Sequence, residues 1–160
     1  MAICNLMELR QRLNPGERLI GFDVGEKTIG LALSDPSLAI ATPFETLRRT
    51  KFREDVEKLK HHVRANAVGG FVIGLPINMN GTEGPRCQST RAFADNLLRE
   101  IDLPLVFWDE RLSTAAVTRT LIEADLSRNR RREVVDKLAA AYILQGLLDF
   151  FATSKERMNT

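Results

Sequence analysis

Leu19-Ile20-Gly21-Phe22-Asp23-Val24-Gly25-Glu26-Lys27-Thr28-Ile29-Gly30 sets one carboxylate inside an apolar run, follows it with a glycine turn, and opens a second apolar run. A charge among strand residues is costly unless something pairs with it, and a metal ion is a common partner. The competing reading is that Asp23 merely begins a turn, where Asp and Gly are usual. Working outward, Arg18 to Val24 reads as a first strand and Thr28 to Ser34 as a second. The link Gly25-Glu26-Lys27 is so short that the two must form an antiparallel hairpin. Asp35-Pro36-Ser37 is another turn, and Leu38 to Leu47 reads as a third strand that Pro43 pushes toward a sheet edge.

The period then changes. Phe52, Val56, Leu59 and Val63 are spaced for one helix face, with Glu54 and Asp55 suited to its first turn. Ala67 to Ile73 is a nearly all-apolar strand, predicted to be buried on both faces. A polar glycine loop, Asn78 to Gly84, leads to a helix marked by Ala94, Leu97, Leu98 and Ile101. Pro104 to Trp108 reads as a fifth strand. Ser113 is a good N-cap for a helix carrying Val117, Leu121 and Ala124. Residues 126–132 read as a polar, basic connection, and Val134 to Phe151 as a long final helix. A meander followed by strand–helix alternation predicts an α/β fold with a mixed sheet and helices on both faces. Ahead of it, Ile3, Leu6, Met7, Leu9 and Leu13 fall on one helical face, broken by Asn14-Pro15-Gly16. A short amphipathic helix and a frayed terminus both fit that segment. The expected division is an N-terminal extension over 1–17, one domain over 18–151, and a tail over 152–160.

Composition bounds the function. Apolar content of 44% and charged content of 28% are those of a globular domain, and the net charge of +2 is too small to argue for nucleic acid by itself. Cys4 and Cys87 make no metal-type spacing. With no secretory core and no long apolar span, a cytoplasmic protein with no membrane partner is expected.

Three places put an acid where this layout would make it converge with the others. Asp23 lies on the first strand. Asp109-Glu110 follows the fifth strand, where open α/β sheets bind ligands. Asp136 shares a helix face with Ala139, Ala140, Ile143 and Leu147, so it points toward the sheet. Strand parity does not choose between Asp109 and Glu110: one is in phase with Leu105 and Phe107, the other with Val106 and Trp108, and both sets are apolar. Clustered carboxylates repel unless cations compensate, and oxygen-only ligands suit Mg²⁺ or Mn²⁺. Two such ions roughly 3.5–4 Å apart can activate water and stabilise a leaving oxygen in phosphodiester hydrolysis. The blander readings are a helix-start acid for Asp136 and a salt bridge with Arg111 for Asp109 or Glu110.

Basic clusters add to this. Arg128, Arg130, Arg131 and Arg132 precede Asp136, and Arg48, Arg49, Lys51 and Arg53 form a second group. Either holds phosphates or is simply solvated. Lys27 sits beside Asp23 with the same two readings. His61-His62 has no third ligand nearby. No Ser-His-Asp set can be assembled, and Cys87 lacks a base.

Four motifs carry a family resemblance. Gly21-Phe22-Asp23-Val24-Gly25-Glu26-Lys27-Thr28-Ile29-Gly30-Leu31-Ala32 resembles the opening motif of the YqgF family, bacterial RNase H-like proteins also described as Holliday junction resolvases. Residues 74–85 (Gly-Leu-Pro-Ile-Asn-Met-Asn-Gly-Thr-Glu-Gly-Pro) resemble its second motif, Asp109-Glu110-Arg111-Leu112-Ser113-Thr114 its third, and residues 135–145 (Val-Asp-Lys-Leu-Ala-Ala-Ala-Tyr-Ile-Leu-Gln) its last. The resemblance implies an RNase H-like fold and a metal-dependent nuclease that trims the 5′ end of the 16S rRNA precursor, with junction resolution as the older proposal. It implies Asp23, Glu110 and Asp136 as catalytic and metal-holding residues with Mg²⁺ or Mn²⁺, although Asp109 occupies an equally typical position. Lys27, Arg111, Arg128, Arg130, Arg131 and Arg132 would position a nucleic acid: precursor rRNA, with ribosome association, or branched DNA. Two rivals stand beside this reading. One is the Asp-x-Gly-x-Thr phosphate hairpin of sugar kinases and actin-like ATPases, which needs two such domains. The other is a non-catalytic RNA- or ribosome-binding factor, which has no reason to keep buried carboxylates.

Overall fold

The computed structural model describes residues 3–112 and 128–158, with the backbone alone at 128–133 and 155–158. The described elements run α1 (Leu6–Arg12), β1 (Arg18–Val24), β2 (Thr28–Ser34), β3 (Ala41–Arg48), α2 (Phe52–Ala65), β4 (Val68–Leu75), α3 (Pro85–Glu100), β5 (Leu105–Asp109), a 3₁₀ turn (Glu110–Leu112) and α4 (Arg128–Met158). The strands form one sheet in the order β3-β2-β1-β4-β5. β1–β2 and β2–β3 are antiparallel, whereas β1–β4 and β4–β5 are parallel. This is the mixed α/β sheet expected from a meander followed by strand–helix alternation. β4, central between two parallel neighbours, is buried throughout.

Strand parity divides the core in two. Ile20, Phe22 and Val24 of β1 face α2 and α3, together with Phe71, Ile73 and Phe93. Leu19 faces the other way, with Val72, Val106, Trp108 and the Ala140, Ile143, Leu144 and Leu147 side chains of α4. Gly21 and Asp23, two and four residues beyond Leu19, share that second face.

Helix α4 lies unusually close to β1 and β2. A Cβ on Gly21 would sit 2.8 Å from Leu144 Cβ, and one on Gly30 would sit 2.0 Å from the Asp136 carbonyl oxygen. The helix can approach so far because glycine and alanine meet there, with Ala139 and Ala140 buried at the contact. Its contact with Gly30 fixes where Asp136 lies along the sheet.

The N-terminal segment is packed into the same layer. Asn5 caps α1 through a reciprocal pair: its Oδ1 accepts from the Glu8 N–H at 2.9 Å, and its Nδ2 donates to Glu8 Oε1 at 2.7 Å. Leu9 is completely buried, with its Cδ1 2.7 Å from where a Cβ on Gly70 would lie. The Cys4 N–H donates to the Leu105 carbonyl at 2.9 Å, and Ile3 bridges the outer edge of β5. Arg10 donates to the Phe151 carbonyl at 3.2 Å and lies over the Phe151 ring. These contacts select the amphipathic helix over a frayed terminus.

The boundaries that differ most from expectation are those of β3 and α4. β3 starts at Ala41 rather than Leu38, because Asp35 collects the N–H groups of Ser37, Ala39 and Ile40 and holds that stretch as a turn. β3 is an edge strand, as Pro43 required, and its register slips past Phe44. The described helix α4 runs Arg128–Met158, so the arginines read as a connection and residues 152–158 of the expected tail are helical. Arginine has good helix propensity, and Ser127 just ahead of the run is a residue type favoured at N-caps, signals that the reading of a basic connection passed over. The helix expected from Ser113 lies outside the described residues.

Replacing Gly30 by alanine should force α4 off the sheet and destabilise the domain by about 3 kcal/mol in urea unfolding; a loss below about 1 kcal/mol would show that the helix does not bear on this residue. Leu9→Ala should cost about 2–5 kcal/mol in the same experiment. An effect within the range of surface substitutions, about 0.5 kcal/mol, would show that α1 is not part of the core.

Candidate functional site

One row of residues runs across the sheet at the carboxyl ends of β1, β4 and β5. Gly30 of β2 pairs with Asp23 of β1. Phe22 pairs with Ile73, so Asp23 and Gly74 follow as neighbours, and Gly74 pairs with Trp108 of β5. Lateral neighbours in a sheet point to the same face. Asp23 therefore stands on the α4 face with a glycine on either side of it, and it is 5% exposed.

Each glycine gives its space to something else. Over Gly30 passes the backbone of α4 at Asp136. Thr28, at the start of β2, donates its hydroxyl to the Asp136 carboxylate. This ties the carboxylate to the hairpin that carries Asp23. Over Gly74 lies the Glu110 carboxylate, whose Oε1 is 3.1 Å from where a Cβ would be. Glu110 gets there because the chain leaves β5 in a 3₁₀ turn and bends back over the sheet, leaving the residue 9% exposed. Asp23, Glu110 and Asp136 are thus brought onto one face, around one row. Among the described residues, no three His, Cys, Asp or Glu side chains stand close enough together to form a ready-made metal cage. The fit to a cation therefore rests on donor type: oxygen-only ligands, which suit a hard divalent ion, two of them buried.

Asp109 goes elsewhere. It is in phase with Phe107, which packs on the α2–α3 side. Its Oδ2 accepts from Arg111 Nη2 at 2.7 Å and Nε at 3.0 Å, and its Oδ1 accepts from the Arg111 N–H at 3.0 Å. The side-chain hydrogen bond from Arg111 holds this carboxyl below the usual carboxylate range, against the opposing effect of burial. The salt bridge foreseen for this motif thus belongs to Asp109, and it separates the two acids that strand parity left equivalent.

Arg111 is braced rather than loose. Its Nη1 is 3.8 Å from where a Cβ on Gly81 would be, at the tip of the loop after β4. That loop closes on itself through Asn78 N–H to the Thr82 carbonyl and Gly81 N–H to the Asn78 carbonyl. Gly81 adopts φ +87°, a conformation that suits glycine. Glu83 of the loop accepts two hydrogen bonds from Arg91, at 2.7 and 3.0 Å. Lys27 is exposed at the tip of the β1–β2 hairpin. Arg128, Arg130, Arg131 and Arg132 fall in the opening turns of α4, upstream of Asp136. Sequence reasoning gave no role to Thr28. The signal was a hydroxyl just across the hairpin turn from Asp23, readable once α4 was known to cross there. His62 is partnered by Glu45 at 2.6 Å and packs edge-on against Phe44, away from the acids.

Comparison with known proteins agrees with this architecture. A protein of Paramagnetospirillum magneticum named "Putative pre-16S rRNA nuclease" is 64% identical over 149 residues, covering 93% of this chain and 96% of that one. A protein of Rhodospirillum centenum with the same name is 57% identical, covering 93% and 82%. Among solved structures, the yeast mitochondrial Holliday junction resolvase Ydc2 superposes with a TM-score of 0.51 at 12% identity, covering 94% of this chain and 85% of that one. Thermus thermophilus RuvC in complex with a Holliday junction substrate gives 0.50 at 12% identity, covering 86% and 97%. At such identities the likeness speaks to the fold, which is RNase H-like. Residues 17–150 match the family model described as RuvX, Holliday junction resolvase, and the chain belongs to that family.

Proposed function

We propose that this protein is a metal-dependent nuclease that hydrolyses phosphodiester bonds and processes the 5′ end of the 16S rRNA precursor. The observation that carries the reading is the convergence of Asp23, Glu110 and Asp136 on one sheet face, two of them buried. Relatives of more than half identity named for pre-16S rRNA nuclease activity support the substrate. In this reading Asp23, Glu110 and Asp136 hold a divalent cation, Mg²⁺ or Mn²⁺, for which oxygen donors are suited. When bound, such an ion supplies a water nucleophile at neutral pH and offsets the charge that develops on the phosphate. The chain's own residues do the positioning. Asp23 is fixed by the paired backbones of β1 and β2, Glu110 by the 3₁₀ turn, and Asp136 by the Thr28 hydroxyl.

Phosphate contact falls to the cations around this face. Arg111, braced by Asp109, keeps its orientation at the rim. Arg128, Arg130, Arg131 and Arg132 stand at the positive end of the α4 macrodipole, and the first turn carries no acid. Cations there oppose the dipole by about 0.3–1 kcal/mol each. A phosphate bound alongside relieves that conflict. Lys27 completes the set. The protein would act in the cytoplasm and meet its substrate on or near the ribosome; no described helix is long and apolar enough to cross a membrane.

A second reading, resolution of branched DNA, is favoured by the family description and by the fold shared with RuvC and Ydc2. A cleavage assay with Mg²⁺ or Mn²⁺ separates the two, using an RNA spanning the precursor 5′ end and a synthetic four-way DNA junction. Cutting of the RNA, but not of the junction, is expected. Asp23→Asn and Glu110→Gln should each lower the rate at least about a hundredfold, more than the loss of an outer-sphere partner, with the thermal midpoint kept. Asp109→Asn should retain most of the activity. Full activity in Asp23→Asn would overturn the mechanism, and equal losses in Asp109→Asn and Glu110→Gln would overturn the assignment of the third motif.

A further inference from the structure

The basic group at the end of β3 is not used by the site described above. Arg48 closes β3 directly opposite Thr28, the residue whose hydroxyl holds Asp136. Paired residues in an antiparallel ladder lie about 5 Å apart. The group therefore begins one pairing step from the acids. Arg48, Lys51 and Arg53 are exposed, as is Lys27 on the adjoining hairpin tip.

A basic run in a loop is ordinarily solvated and mobile, but this one is anchored at several points. The Arg49 N–H donates to the Lys27 carbonyl at 2.9 Å, and Arg49 Nη1 donates to the Gly25 carbonyl at 2.8 Å. The Arg49 guanidinium also lies over the Phe93 ring, 5.6 Å from its centroid. Thr50 donates its N–H and its hydroxyl to Asp55, at 3.0 and 2.8 Å, and Asp55 is buried. Arg49 is therefore turned inward as a structural tie, and the backbone that carries Lys51 and Arg53, both exposed, is held in a fixed turn. Glu26 and Glu54 are the exposed acids at the margins, and the cations outnumber them. Preorganisation of this kind removes the ordering cost that weakens a flexible charged run.

We propose that Lys27, Arg48, Lys51 and Arg53 form a tract that carries the sugar–phosphate backbone of the RNA strand next to the point of cleavage. The inference rests on the nuclease reading above and extends it: strand engagement reaches across the β2–β3 edge of the sheet. The ligand chemistry is the phosphodiester backbone, recognised by charge and without regard to base.

The test measures binding of a labelled single-stranded RNA spanning the precursor 5′ end, in EDTA, over a salt series. The protein variants are wild type, Lys51→Ala/Arg53→Ala, and a control pair at exposed positions on α2 and α3, Lys58→Ala/Arg99→Ala. Each lost phosphate contact to a single strand lowers the slope of log affinity against log salt by about 0.7. The tract variant should therefore lose about 1.4 in slope, and the control pair nothing. With Mg²⁺ restored, the tract variant should cut with a raised KM and an unchanged kcat. An unchanged slope in a chain that still cuts RNA would overturn the tract and leave the nuclease reading standing. A slope change seen with the four-way DNA junction but not with RNA would overturn RNA as the occupant. Failure of the wild type to bind or cut RNA would overturn the functional reading and the tract with it.

Discussion

The approach of the α4 backbone to Gly30 is the constraint on which the site depends. Without a side chain there, the helix lies against β2 at the level of Asp23, and Asp136 becomes a neighbour of the strand-borne acid. Gly74, on the other flank of Asp23, does the same for Glu110. A helix normally packs on a sheet through two layers of side chains. Here glycine and alanine remove part of that thickness at the place where carboxylates must meet. The N-terminal segment closes the opposite end of the same layer, with Leu9 on Gly70 and Arg10 on Phe151 of α4.

Burying two acids, Asp23 and Glu110, on one face costs free energy that no apolar contact returns. In the proposed reading a bound cation offsets part of that cost. The fold solves part of the problem locally. Thr28 hydrogen-bonds Asp136, and Asp109 is drawn off to the other side of β5 by Arg111, with its proton affinity lowered by that pairing. The division of labour within Asp109-Glu110 is one structural acid that braces an arginine and one that faces the sheet.

Much of this was legible in the sequence, for reasons that can be named. The hairpin was readable because a three-residue link admits one geometry, and β1 and β2 fall where the apolar runs end. Asp136 was readable as inward-facing from its helical phase with Ala139, Ala140 and Ile143. The start of α4 was not, because a run of arginines carries no apolar periodicity and looks like a solvated connection, which outweighed the Ser127 ahead of it. The choice between Asp109 and Glu110 was not either, because β5 is flanked by apolar cores on both faces and parity carries no information there. It took the 3₁₀ turn and the Arg111 pair to separate them. The extension before β1 was ambiguous because Leu9 and its neighbours are too few to distinguish docking from fraying until their acceptor, the glycine surface of β4, is known.

The account rests on three carboxylates acting together on one cation. The most direct measurement is a Mn²⁺ titration followed by electron paramagnetic resonance, comparing wild type with Asp136→Asn, the one acid of the three supplied by the helix. Saturable binding by the wild type, weakened at least about tenfold in the variant with the thermal midpoint unchanged, is the predicted result. Equal Mn²⁺ binding by both proteins would contradict it, because the helix-borne acid would then have no part in holding the ion.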